Sequence, residues 1–211
     1  DGETVYLTST IKRREFQPID VNNPSICYFG NIRQGRNESL NAIGNALGKI
    51  NSNYKLHIYS TQTTKSAIRV FLNNPNVEFH GSVPYEQVAE KSSKSDVLVV
   101  VEGFKEKHIR NTKYSLSTKA ADSLASGVQI LVYGSQDCGV IEYMQSTDSA
   151  AVCTKETELV ETIRRLIEDI DFQKTNYDNA IKITKEHHNL KSSTSTFVSV
   201  VEGAIENYDG K

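Results

Sequence analysis

Short apolar runs bounded by turn-forming residues alternate along this chain with longer stretches in which apolar residues recur every three or four positions. The first pattern suits a pleated strand and the second an amphipathic helix. The runs predict strands at Ser25 to Gly30, Lys55 to Tyr59, Val77 to His80, Asp96 to Val101, Gln129 to Val132 and Ala150 to Cys153. The helical spacing predicts helices at Ser39 to Ile50, Thr63 to Leu72, Tyr85 to Ser93, Thr118 to Ala125 and Val140 to Gln145. Several of the strands are almost wholly apolar, as strands covered on both faces should be. The alternation predicts the α/β class: a doubly wound, Rossmann-like parallel sheet of about six strands with helices on both faces.

After Thr154 the alternation stops. Leu159, Ile163, Leu166, Ile167 and Ile170 keep helical spacing, and Phe172 to His187 and Ser195 to Ile205 continue in the same way, so the chain ends in a helical C-terminal tail. Residues 1–23 are polar and aperiodic and read as a linker or the remnant of a preceding domain. Residues 24–190 form the Rossmann-like domain, and residues 191–211 a helix that packs on it or toward a missing N-terminal domain. Because the chain opens on Asp1, it reads as a piece of a longer polypeptide.

A formal net charge of -2 with 24% charged residues argues against a general attraction to nucleic acid, so any basic patch has to be local. Cys27, Cys138 and Cys153 are widely spaced, which points to buried thiols in a reduced, cytoplasmic chain rather than a disulfide or zinc framework. No apolar segment is long enough to span a bilayer. His187 and His188 are adjacent, so on a helix they diverge and read as surface residues.

In an open parallel sheet, ligands bind outside the carboxyl ends of the strands, which directs attention to three loops. The first, Gly30 to Asn37, carries Gly30 and Gly35, which let backbone amides approach a phosphate, and Arg33 and Arg36, which can bond its oxygens. It lacks the spacing of a dinucleotide fingerprint or a Walker A loop and also reads as a solvated turn. The second is Gly81-Ser82-Val83, a turn able to offer backbone groups to a base edge, or simply a strand-to-helix connection entering through Pro84. The third runs from Glu102 to Asp122 as a long polar loop that passes Tyr114, Ser115, Leu116 and Ser117 and enters a helix at Thr118 and Lys119. Helical spacing sets Thr118 and Asp122 on one face with Lys119 beside them, at a helix N-terminus suited to an anion.

With these loops in this order, Ser25 to Ile205 resembles the C-terminal, donor-binding domain of GT-B-fold, group 1 type glycosyltransferases. In that family the first strand ends in a Gly often followed by Arg, with a Lys six residues after the Gly; here Gly30 matches, Asn31 replaces the Arg and Arg36 stands at the Lys position. Val77 to Pro84 looks like the family's strand and glycine loop beside the base, and Ser95 to Val100 like its small residue, Asp and apolar strand. Asp122, five residues before Gly127, stands where the family has a ribose-binding Glu, and Tyr114 stands where many members have a second, sugar-contacting Glu. The Ser115 to Lys119 stretch is closer to a variant found in transferases that build surface polysaccharides.

The resemblance implies metal-independent, retaining transfer from a nucleotide sugar such as a UDP- or GDP-sugar, with no cofactor, to an acceptor held by a missing N-terminal domain. By analogy the donor would meet Gly30, Asn31, Arg33, Arg36, Gly81, Ser82, Val83, Tyr114, Ser115, Leu116, Ser117, Thr118, Lys119 and Asp122. Arg36 and Lys119 would hold the diphosphate, Asp122 the ribose and residues 81–83 the base. No catalytic residue is assigned. The full-length protein would be cytoplasmic, at the inner face of the membrane. Two other readings stay open: a nucleotide-sugar epimerase on the same scaffold, and a noncatalytic module whose site has degenerated at Asn31 and Tyr114.

Overall fold

The computed structural model describes residues 5–9, 11–116 and 118–209. Six strands, β1 (Ile26–Phe29), β2 (Leu56–Tyr59), β3 (Val77–Gly81), β4 (Val97–Val101), β5 (Gln129–Tyr133) and β6 (Ala151–Cys153), form one sheet in the order β3-β2-β1-β4-β5-β6. Every neighbouring pair is parallel. Parallel neighbours need crossover segments, and helices supply most of them. These are α1 (Arg36–Ile50), α2 (Lys65–Ile68), α3 (Tyr85–Lys94), α4 (Glu106–Thr112), α5 (Thr118–Ser126) and α6 (Gly139–Ser146). A 3₁₀ turn at Glu156–Glu158 leads into α7 (Leu159–Glu168), α8 (Ile170–Glu186) and α9 (Leu190–Asp209).

The strand pattern decides which side chains go to which face. Ile26 and Tyr28 of β1, Leu56 and Ile58 of β2, and Val97, Val99 and Val101 of β4 point toward α1 and α7, where Leu40, Ile43, Leu47, Ile163, Leu166 and Ile167 complete the larger core. Val100, Ile130 and Val132 point the other way, onto Leu124 of α5, Ile141 and Met144 of α6, and Ile183 of α8. The adjacent interior strands β4 and β5 are buried at every position, which is why their sequences do not alternate. Over β1 and β2 that second face carries only a small cluster of Cys27, Leu98 and Val128 with Phe29 and Tyr59 beside it.

The strands and the helical tail agree with the sequence pattern to within a few residues. Two elements depart from it: the helix expected over Thr63 to Leu72 is helical only at Lys65–Ile68 and continues as turns, and the loop before α5 holds an additional helix. The polar loop expected from Glu102 to Asp122 contains α4, a helix that buries Thr112, half-buries His108 and Ile109, and carries an Arg110–Glu106 ion pair one turn apart. Its one apolar residue, Ile109, packs against the smaller core, and a single apolar position leaves no stripe for a periodicity argument to find. His188, expected at the surface, is 4% exposed. Its Nδ1 bonds the Leu7 carbonyl, its Nε2 the Tyr143 hydroxyl, and the Tyr6 ring stacks on His187 at 4.6 Å. The segment that buries the pair lies about 180 residues away in the chain, so local spacing could not report it. All three cysteines are buried and free. Among the described residues no helix is long and apolar enough to cross a membrane.

The segment before β1 forms neither helix nor strand among its described residues, yet it is tied to the domain. The Arg14 amide donates to Ser126 O at 2.8 Å and its guanidinium to Ser95 O at 2.8 Å. Ile19 is buried, and its amide donates to the side chain of the wholly buried Gln173 at 3.1 Å. Gly127 ends α5 at φ +74°, and a Cβ there would lie 2.3 Å from Arg14 O. Both the left-handed backbone and the close approach demand glycine. Gly127→Ala is expected to cost about 1–3 kcal/mol of stability by urea denaturation. The same variant should be cut faster by trypsin at Arg13 and Arg14, since the contact that pins them is lost.

Candidate functional site

The order of the strands reverses at β1, whose two neighbours lead away to opposite edges of the sheet. Asp96 fastens β4 to the start of β1: its carboxylate accepts from the Ser25 amide at 2.9 Å and its own amide donates to Ser25 O at 2.9 Å. Register then holds for Ile26 with Val97 and Cys27 with Leu98, after which no further pairing joins the two strands. Beyond that point a crevice opens at the carboxyl ends of the strands, the usual ligand position in such a sheet. It contains a cavity of about 450 Å³, within the range of small-molecule sites.

Lys119 is the central charge of this cavity. It is the second residue of α5, and its ammonium lies so close to Gly30 that a Cβ on Gly30 would sit 2.2 Å from Nζ. Gly30 adopts φ +146° at the end of β1 and leaves that space clear. The ammonium is also 5.5 Å from the centre of the Tyr28 ring, a cation–π contact. Burial, reinforced by the Arg36 charge and opposed by Glu102, pushes the Lys119 pKa down to about 8. A cation in the first turn of a helix also opposes the helix dipole, so the arrangement favours an incoming anion.

Arg36 stands behind Lys119 and does not line the cavity. Its guanidinium donates to Glu102 Oε1 at 2.8 Å and to Val101 O at 3.2 Å, with only 14% of its side chain and 4% of that of Glu102 exposed. The sequence pattern expects Arg36 to reach a diphosphate directly. Glu102, which follows the all-apolar β4, carries no motif that would announce it as the partner.

Of the other expected positions, Gly30, Asn31, Ser82, Val83, Thr118, Lys119 and Asp122 border the cavity together. The Asn31 carbonyl accepts from the Tyr28 hydroxyl at 2.5 Å, and its side chain accepts from the Arg33 amide at 2.7 Å. Gly81, at φ +74°, turns the chain into this loop, and its carbonyl accepts from the Ser60 amide at 2.8 Å. Arg33, Tyr114 and Ser115 are exposed and Leu116 packs against the smaller core, all of them outside the cavity wall. Tyr114 is 90% exposed. Ser117 lies outside the described residues.

The structure adds wall residues with no signal in the sequence. Phe29 and Tyr59 stack at 4.8 Å and form an aromatic side of the cavity, and Ser60, Thr61 and Ser123 complete its polar rim. Ile11 reaches in from the segment before β1, while the Ser9 hydroxyl donates to Asp122 Oδ1 at 2.6 Å. Asp122 is therefore already accepting from a hydroxyl at the edge of the cavity.

The pH response of Lys119 has a definite sign. Its folded pKa of about 8 lies below the 10.5 of an unperturbed lysine, so the unfolded chain holds more of this proton between those values. The contribution to stability rises across that interval and is most unfavourable below pH 8, where the buried group is charged. Lys119→Met should therefore melt higher than the native chain at pH 7, with the difference shrinking as the pH approaches 10.5. Thermal unfolding of both proteins across that range is the measurement.

No family model and no curated protein sequence matches the chain. Solved structures do match its fold. An α,α-trehalose-phosphate synthase (UDP-forming) from Burkholderia vietnamiensis superposes with TM-score 0.64 at 8% identity, over 86% of this chain and 44% of that one. The UDP-GlcNAc 2-epimerase from Neisseria meningitidis gives 0.56 at 14%, over 88% and 46%. The C-terminal domain of the group 1 family glycosyl transferase LpcC from Francisella tularensis gives 0.54 at 13%, over 88% of this chain and 97% of that domain. The chain thus spans about half the length of the first two and nearly all of the third. It has the Rossmann-like fold of the C-terminal domain of GT-B, group 1 type glycosyltransferases.

Proposed function

We propose that this chain is the donor-binding half of a glycosyltransferase and takes a nucleoside-diphosphate sugar into the crevice between β1 and β4. The observation that carries the reading is Lys119, partly dehydrated at the head of α5 and held against Gly30 at the mouth of the cavity. A diphosphate there would meet the ammonium and the helix N-terminus together, and charge-assisted bonds of this kind are the strong ones. Asp122, one turn further along α5, accepts the ribose hydroxyls as it now accepts the Ser9 hydroxyl. Ser82 and Val83 offer backbone groups to the base beside the Tyr59 ring. The synthase is named as UDP-forming and the epimerase binds UDP-GlcNAc, which supports a uridine donor.

In this reading Arg36 is a positioning residue. Its pairing with Glu102 holds the carboxylate beside Lys119 and keeps the net charge behind the diphosphate positive. Transfer proceeds with retention and without a metal, as Lys119 and the α5 dipole balance the charge that builds on the departing nucleoside diphosphate. The acceptor is held by a second domain, and the full-length enzyme works in the cytoplasm, associated with the membrane surface. The epimerase match supports a second reading, in which the same cradle holds a nucleotide sugar for inversion at one sugar carbon. Binding of the donor is common to both.

Calorimetric titration with UDP, GDP and their sugars tests the reading. At least one of these ligands should bind and raise the melting temperature, and no binding by any of them overturns it. Lys119→Ala should weaken nucleoside-diphosphate binding about tenfold or more while leaving the fold intact. An unchanged affinity removes Lys119 from the site. Since the bound anion favours the charged amine, binding above pH 8 should also take up protons, seen as a dependence of the heat on the buffer used.

A further inference from the structure

A second cluster of chemically active side chains lies on the exposed part of the sheet, on β2 and the edge strand β3. Alternation along β3 sends Val77 and Phe79 toward the larger core and Glu78 and His80 to the opposite face, where β2 presents His57 and Tyr59. His57 pairs directly with Glu78 in the sheet register. The pairing then slips: Ile58 faces Phe79 but Tyr59 faces Gly81, so His80 is the extra residue of a β-bulge. Bulges re-aim the side chain they carry. Here the His80 ring lies flat on the Tyr59 ring at 4.7 Å, with its Nε2 3.0 Å from His57 Nδ1. Glu78 Oε2 completes the group, 3.3 Å from His57 Nδ1 and 3.8 Å from His80 Nε2.

We propose that His57, Glu78 and His80 form a divalent transition-metal site of the zinc class. A tetrahedral ion bound by nitrogen and oxygen at about 2.0–2.1 Å needs ligand atoms about 3.4 Å apart. The three separations here, 3.0, 3.3 and 3.8 Å, bracket that value before any metal enters. An ion pair alone needs one histidine and one carboxylate. Two imidazole nitrogens and a carboxylate oxygen converging on one point supply two neutral donors and one negative charge, a set that suits zinc. At 3.0 Å the two ring nitrogens are within hydrogen-bond distance of each other, and an ion would take the place of that contact. With side-chain exposures of 28%, 47% and 35%, the fourth position opens to solvent and takes water or an external ligand.

The site is separate from the donor cavity and does not depend on the donor reading. It meets that cavity at Tyr59, whose ring stacks on both His80 and Phe29. A bound ion would therefore fix the edge strand and the aromatic wall at once.

The test is titration of the EDTA-treated full chain with Zn²⁺ in competition with a chromophoric chelator. A single tightly bound ion per chain is expected, and replacement by Co²⁺ should give the intense visible bands of four-coordinate cobalt. His80→Gln and Glu78→Gln, both at exposed positions, should each lower the affinity about tenfold or more and abolish the cobalt bands. Unfolding midpoints of the metal-free variants, compared with that of the metal-free native chain, separate lost ligation from lost folding. Absence of stoichiometric binding overturns the proposal. So does binding that survives unchanged in both variants, which would place the ion elsewhere, the His187–His188 pair included.

Discussion

Parallel pairing between β1 and β4 is the constraint from which the rest of this molecule follows. A parallel sheet brings all its carboxyl ends to one edge, and the chain reverses its direction of growth where β4 is laid against the free side of β1. The two strands are joined at their amino ends by Asp96 and Ser25 and separate after Cys27 and Leu98. Because the helices that follow them leave toward opposite faces, nothing closes the gap, and the crevice is a consequence of topology before any side chain is considered.

The side chains that fill it are arranged around one charge imbalance. Glu102 bonds Arg36 at 2.8 Å and also acts on the charge of Lys119. Lys119 stands in the first turn of a helix whose dipole opposes its charge, and burial pushes its pKa down to about 8. Strained or electrostatically unfavourable arrangements tend to gather at functional sites. The polar cluster on β2 and β3 has a related origin. Helix cover is thin over that end of the sheet, so alternation on an exposed face places His57, Glu78 and His80 side by side with access to solvent.

Much of this was legible from residue patterns. The runs Val97 to Val101 and Gln129 to Tyr133 identify buried interior strands because parallel strands covered on both faces cannot alternate. Gly30 and the Thr118 to Gly127 helix mark the crevice because its backbone geometry demands glycine at one side and a helix start at the other. The α4 helix escaped because a helix with one apolar residue has no periodic apolar signal, and His188 because its burial is supplied by Leu7 and Tyr6 from the far end of the chain. Arg36 illustrates a different limit. Its residue type suits a phosphate and a buried carboxylate equally, and no motif in the sequence announces Glu102 as its partner.

By itself the sequence determined the alternation of strands and helices, the α/β class and the loops at the carboxyl edge, since these depend on patterns spanning a few neighbouring residues. The tertiary structure decided which charges pair, which residues of the first segment border the cavity, and that pairing of β2 with β3 sets His80 against His57. Those outcomes rest on contacts between residues from 23 to 113 positions apart. Such contacts depend on distances that chain folding creates, and no local pattern encodes them.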